Sequence, residues 1–180
     1  MGLDMYLYAS EYKSRGCREE EQKEYDALVR HIQEKFVATP MPVTDGMTVE
    51  FTVMYWRKAN AIHNWFVEEC GDGTDNCREI CVDEDDLLRL LIRCVAVLGL
   101  FPDDLGEDDP IPEDAALKAS EILPPTSGFF FGSTDIDRRY LEDIRRTRDG
   151  LTKFLIWIDA EKKARGEDWS RWGFSYRTCW

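Results

Sequence analysis

The side chains best equipped for chemistry gather in YWRKANAIHNWF, residues 55–66, where one of the chain's two histidines stands among four aromatic rings, two cations and two amides. On a helical wheel of about 100° per residue, Ala59, Ile62 and Phe66 form an apolar sector that Trp56 and Val67 extend. His63 falls inside that sector, with Asn60 and Asn64 at its edge. A buried imidazole needs hydrogen-bond partners, because a buried polar group left unpaired costs about 1–3 kcal/mol. Two uses follow. His63 is a core histidine satisfied by its neighbours, or it belongs to the wall of a binding site in which Tyr55 and Arg57 also take part, the guanidinium being suited to a phosphate or carboxylate.

Two further stretches carry polar groups where apolar ones are expected. Ile136, Tyr140, Ile144, Leu151, Phe154, Leu155 and Ile158 make a helical stripe, and Asp143 and Thr147 project from within it at i and i+4. An ionised Asp on an inward face needs a partner, which His63, Arg57 or a ligand would supply. A meeting of Asp143 with His63 would be a structural hydrogen bond, an orienting element, or an acid/base pair. In PPTSGFFFGSTDID, Thr126 and Ser127 precede three phenylalanines, and Gly132, Ser133 and Thr134 lead into a helix, materials from which anion sites are made. Asp135 and Asp137 argue the other way. Carboxylates in a first turn already complement the helix dipole, and Thr134 with Asp137 resembles a capping arrangement. No Walker lysine motif and no GxGxxG is present. Cys70, Cys77 and Cys81 lie close in sequence but form no CxxC pair, and His63 would have to be the fourth ligand, so neither metal nor cofactor is assigned.

The elements that must position these groups follow from periodicity. LDMYLYA alternates Leu3, Met5 and Leu7 with Asp4, Tyr6 and Tyr8, a strand pattern. Residues 19–36 repeat Tyr25, Leu28, Val29, Ile32 and Phe36 at helical spacing, and TPMPVTDG interrupts them. Residues 48–55 are β-branched and aromatic, a second strand running directly into the 55–66 motif. Residues 83–98 predict a helix opened by acids, 101–113 an acidic proline-bearing loop, FFFGS a short strand or extended turn, and 135–165 one long helix with a bend near Gly150. WGFSYRTCW predicts a closing strand, paired with the first so that neither is left as a free edge. The expected architecture is a single α+β domain over residues 1–180, a small, mainly antiparallel sheet covered by several helices, including the long C-terminal one.

Composition bounds the partners. A net charge of −13 over 180 residues opposes capture of a nucleic-acid backbone, which needs Lys and Arg against phosphates. No segment approaches 18 uncharged apolar residues and MGLDMYLYAS suits β pairing better than a leader, so no membrane partner and a cytoplasmic location are expected, with the six cysteines mostly reduced. The sequence leaves the oligomeric state open.

GLDMYLYA, YWRKANAIHNWF, DNC at 75–77, PTSGFFFGSTD, Tyr140 with Asp143 and Thr147, and the aromatic ending together resemble a family of small proteins encoded by bacteriophages, prophages and bacteria. The resemblance spans nearly the whole chain. It implies a phage or bacterial intracellular setting, the host cytoplasm for a phage-encoded chain, and brings no catalytic role with it. GDGTDNCREIC and the acidic loop after Phe101 read as local elaborations.

The residues point first to a small-ligand-binding protein. Its site would draw on Tyr55, Arg57, Asn60, His63, Asn64, Thr126, Ser127, Tyr140, Asp143 and Thr147. Cations, amides, hydroxyls and aromatic faces suit a nucleotide-like or otherwise phosphorylated ligand, and in a phage setting sequestration of a nucleotide-derived defence signal. A second reading is a hydrolase or transferase using His63 and Asp143 as a catalytic pair, though no nucleophile motif accompanies them. A third is an inhibitor that meets a host protein through its acidic surface.

Overall fold

The computed structural model describes residues 2–39, 45–102, 105–106 and 109–179. Parts of the predicted interruption at 39–46 and of the acidic loop at 101–113, with Trp180, lie outside the described residues. The elements in chain order are β1 (Asp4–Ser14), α1 (Glu19–Phe36), β2 (Gly46–Arg57), α2 (Asn60–Trp65) extended by a π-helical turn (Phe66–Cys70), β3 (Ile80–Val82), α3 (Glu84–Leu98), α4 (Glu113–Ile122), α5 (Arg138–Arg165) and β4 (Gly173–Cys179). The strands form one antiparallel sheet in the order β2-β1-β4-β3. With five helices, α5 the longest, the α+β architecture is the expected one. By compactness the chain divides into two units, Met1–Ala9 with Thr52–Trp180, and Ser10–Phe51.

In the larger unit the period-two pattern of β1 does what it predicts. Leu3, Met5, Leu7 and Ala9 are wholly buried, while Asp4, Tyr6 and Tyr8 keep partial exposure on the other face. β4 lies beside β1, so both terminal strands become interior strands. Against β4 runs β3, in register Ile80↔Tyr176, Cys81↔Ser175 and Val82↔Phe174. With only three residues, β3 carries too little alternation to be seen in the sequence. α3 opens on a reciprocal cap, in which Asp83 accepts from the Asp86 amide at 2.8 Å and Asp86 accepts from the Asp83 amide at 3.0 Å. It then buries Leu87, Leu90, Cys94 and Val97 at helical spacing.

α5 starts at Arg138, with Asp137 as the cap accepting from the Tyr140 amide at 2.9 Å, and ends at Gly166 in the left-handed region at φ 68°. The helix runs on through Gly150. A Cβ there would clash with Met54 Cε, so the glycine serves the close passage of β2. FFFGS forms no strand; the Phe131 amide donates to the Gly128 carbonyl in a turn, Phe131 is buried, and Phe129 is 93% exposed. α4 was not legible because its ten residues bury only Ala115 and Ala119.

In the smaller unit, α1 has three glutamates in its first turn, which complement the helix dipole. Of its expected stripe only Tyr25 is buried; Leu28, Val29 and Ile32 are half-buried and Phe36 is 79% exposed.

Candidate functional site

The 55–66 motif is not one helix. Strand β2 runs through Arg57, so Met54 and Trp56 face the core and Tyr55 and Arg57 the opposite side of the sheet. Tyr55 donates its hydroxyl to Asp4 at 2.5 Å, and neither Tyr55 nor Arg57 lines the pocket described below. The wheel failed because β pairing persists until the backbone reverses at Lys58. That lysine has φ 63°; its amide donates to the Leu3 carbonyl at 2.8 Å and its carbonyl accepts from the Asn60 amide at 2.9 Å. An L-residue held there bears about 1–2 kcal/mol of strain. Only then does α2 begin, with Asn60, Ala61, Ile62, His63 and Trp65 all buried.

Two polar clusters leave this short helix in different directions. His63 is 1% exposed; Nδ1 lies 2.8 Å from the Tyr176 hydroxyl and Nε2 3.0 Å from Asp75 Oδ2. Both ring nitrogens are thus partnered, Nε2 by a carboxylate and Nδ1 by a phenol, the donor in each bond being set by the tautomer. Phe131 packs edge-on against the imidazole at 5.0 Å, and Phe66 stacks on the Tyr176 ring at 4.1 Å. Burial, with the Asp75 charge as a smaller contribution, holds the Tyr176 phenol well above its ordinary pKa. The partners of His63 are therefore a loop carboxylate from the segment taken for a local elaboration and a phenol from the last strand.

The second cluster lines a pocket of about 90 Å³, partly open to solvent. Its walls are Lys58, Ala59, Asn60, Ala61 and Ile62 on one side, the loop residues Gly132, Ser133, Asp135 and Asp137 on another, and Arg139, Tyr140, Asp143 and Ile144 of α5 on the third. Asn60 directs both amide hydrogens to main-chain carbonyls, Phe131 at 3.2 Å and Ser133 at 2.7 Å, which pins the loop and orients Asn60 Oδ1 as an acceptor. Asp135 accepts from the Ser133 hydroxyl at 2.8 Å, and Asp137 caps α5. Asp143 is half-buried, and its carboxyl has no hydrogen-bond partner among the described residues. Burial pushes its pKa up to about 6; Arg139 and Arg146 pull it down, while Glu142 and Asp137 raise it. Lys58 and Arg139 form no ion pair among the described residues.

Of the ten site residues read from the sequence, the pocket brings together Asn60, Tyr140 and Asp143. His63 is outside its lining, held by Asp75 and Tyr176. Thr147 is wholly buried, accepting from Trp56 Nε1 at 2.8 Å and donating to the Asp143 carbonyl at 2.7 Å. Asn64 donates to the Pro124 carbonyl at 3.1 Å. Thr126 and Ser127 are not in the lining. The Tyr140 hydroxyl is turned to the Ala119 and Leu123 carbonyls, so its ring, rather than its oxygen, borders the cavity. Lys58 and Arg139 carried no signal as site residues, Ser133 stood in the sequence only as material for an anion site, and Asp135 and Asp137 read as helix-capping groups. Lys58 was legible only to a reading that ended the strand one residue before it.

Among the described residues, no three His, Cys, Asp or Glu side chains gather into a group able to hold a metal ion. Burial pushes the Cys70 and Cys94 thiols up to about 12, which keeps them protonated and unreactive. Nor is any helix among those residues long and apolar enough to cross a membrane. Comparison with known protein families, with curated proteins and with solved structures finds no match to this chain.

Proposed function

We propose that the protein binds a small ligand in the pocket between the β2–α2 turn and α5, and that this ligand is nucleotide-derived or otherwise phosphorylated. The observation that carries the reading is the convergence of Lys58, Arg139 and Asp143, three charged groups without a hydrogen-bond or ion-pair partner among the described residues, on one partly enclosed cavity. A charge taken out of water is ordinarily paired, and of the three Asp143 is half-buried with its pKa raised by burial. A lysine kept at φ 63°, where glycine would be at ease, supports the same reading, since backbone strain concentrates at functional sites. The cations suit a phosphate at the mouth of the pocket. The resemblance to phage and bacterial proteins supplies the setting, the bacterial cytoplasm, with sequestration of a nucleotide-derived signal as the use. The enzymatic alternative needs His63 beside Asp143, and the contacts of His63 with Asp75 and Tyr176 give that pairing no support.

The test is titration calorimetry of the folded protein with nucleoside mono- and diphosphates of the four bases, ADP-ribose derivatives and cyclic nucleotides. At least one should bind with micromolar affinity and be recovered unchanged by mass spectrometry. Lys58→Met with Arg139→Met should weaken it about tenfold or more. Silence across the panel at high micromolar concentration removes the proposal.

A further inference from the structure

The pocket's inner wall has a chemistry of its own. Asn60 is 5% exposed and both its amide hydrogens are used on the Phe131 and Ser133 carbonyls, so what remains for a ligand is the acceptor oxygen. From α5, Asp143 adds a carboxylate, which when ionised also only accepts. The Tyr140 hydroxyl is committed to the Ala119 and Leu123 carbonyls and offers the pocket no donor. Thus acceptors line the inside, while the cations stand on Arg139, which is exposed, and Lys58, which is half-exposed. A phosphate placed innermost would meet Asp143 and find no donor side chain among Asn60, Tyr140 and Asp143. A group with adjacent N–H donors would meet acceptors.

We infer that the group enclosed by this pocket is a planar one carrying adjacent N–H donors, the chemistry shared by the N1–H and 2-amino edge of guanine and by a guanidinium, with Asp143 as the residue that determines specificity. This rests on the reading of the pocket as a ligand site and adds the orientation, donor edge inward and anionic end toward Lys58 and Arg139. Size agrees with it. A volume of about 90 Å³ encloses one small group and leaves the rest of the ligand outside.

The acidity of Asp143 makes the interaction dependent on pH. The charged groups that act on that carboxyl are Asp137 from the loop and Arg139, Glu142 and Arg146 on α5; Lys58 and Asp135 share the pocket lining, and none of these is a histidine. A donor edge binds the ionised form, so affinity is full at pH 7.5 and falls as pH drops through about 6.

Calorimetry with GMP, IMP, AMP and L-arginine on the full chain decides the matter, IMP being GMP without the 2-amino group. If the enclosed group is a base, GMP binds and IMP binds about tenfold more weakly; if it is a guanidinium, L-arginine binds instead. In either case Asp143→Asn, checked for folding by its melting curve, costs about tenfold or more in affinity, and the wild type weakens at pH 5. Binding of AMP with neither GMP nor L-arginine bound overturns the inference and leaves the pocket reading standing. Unchanged binding of GMP or L-arginine to Asp143→Asn also overturns it. If nothing binds, both fall.

Discussion

Asn60 and His63 lie three residues apart on the same short helix, yet the clusters they lead into are opposites. Around His63 every polar atom has a protein partner, since the ring is shared between Asp75 and Tyr176 and the phenol is packed under Phe66. Around Asn60, whose amide hydrogens are held by the Phe131 and Ser133 carbonyls, a cavity opens on which Lys58, Arg139 and Asp143 stand without a hydrogen-bond or ion-pair partner among the described residues. The first arrangement is what stability asks of buried polar groups. The second is the arrangement on which the proposed ligand site rests. A histidine beside a pocket is therefore a weaker functional signal than a carboxylate without a partner, even though histidine has the better reputation as a reactive side chain.

The contrast can be broken most forcefully through the closed cluster. Phe66→Ala removes a wholly buried ring stacked on Tyr176 and should cost about 3–5 kcal/mol in chemical denaturation. A loss below about 1 kcal/mol would mean that this side of α2 is not core. His63→Phe keeps the volume but strands the Tyr176 hydroxyl, for about 1–3 kcal/mol. Tyr176→Phe added to it should cost little more, because the orphaned hydroxyl is then gone. Ligand affinity should survive His63→Phe; a folded variant that no longer binds would place His63 in the site after all.

The open cluster should respond with the other sign. Asp143 has a pKa raised to about 6 by burial, against 3.8 unperturbed. Its folded form therefore holds a proton that the unfolded chain releases, and stability falls as pH rises between those values. Asp143→Asn should melt at a higher temperature than wild type above pH 6, and the gain should shrink as pH falls toward 4. A variant less stable at pH 8 would show that the carboxylate has a structural partner. The smallest effect belongs to Lys58→Gly. Relief of the left-handed strain, set against the greater freedom of glycine in the unfolded chain, should leave stability within about 1 kcal/mol of wild type. Binding should nevertheless weaken, a separation of stability from function that thermal melts and titration of the same sample can read.

What the sequence determined by itself was local and periodic. The alternation of Leu3, Met5 and Leu7 made β1, the acidic start and apolar stripe made α3, and the long stripe from Tyr140 to Ile158 made α5. Periodicity also placed Asp143 and Thr147 within the inward stripe of α5, because it records which face a residue occupies. It does not record what stands opposite. That Thr147 meets Trp56, that His63 meets a carboxylate twelve residues on and a phenol 113 residues on, and that the Asp143 carboxyl has no hydrogen-bond partner among the described residues, were decided by packing alone. The pocket shows the same division. Its residues lie in two stretches of chain far apart in sequence, 58–62 and 132–144, and Lys58 belongs to it only because β2 continues two residues past Tyr55 before the backbone turns, a boundary set by pairing between strands and not by the propensity of YWRK.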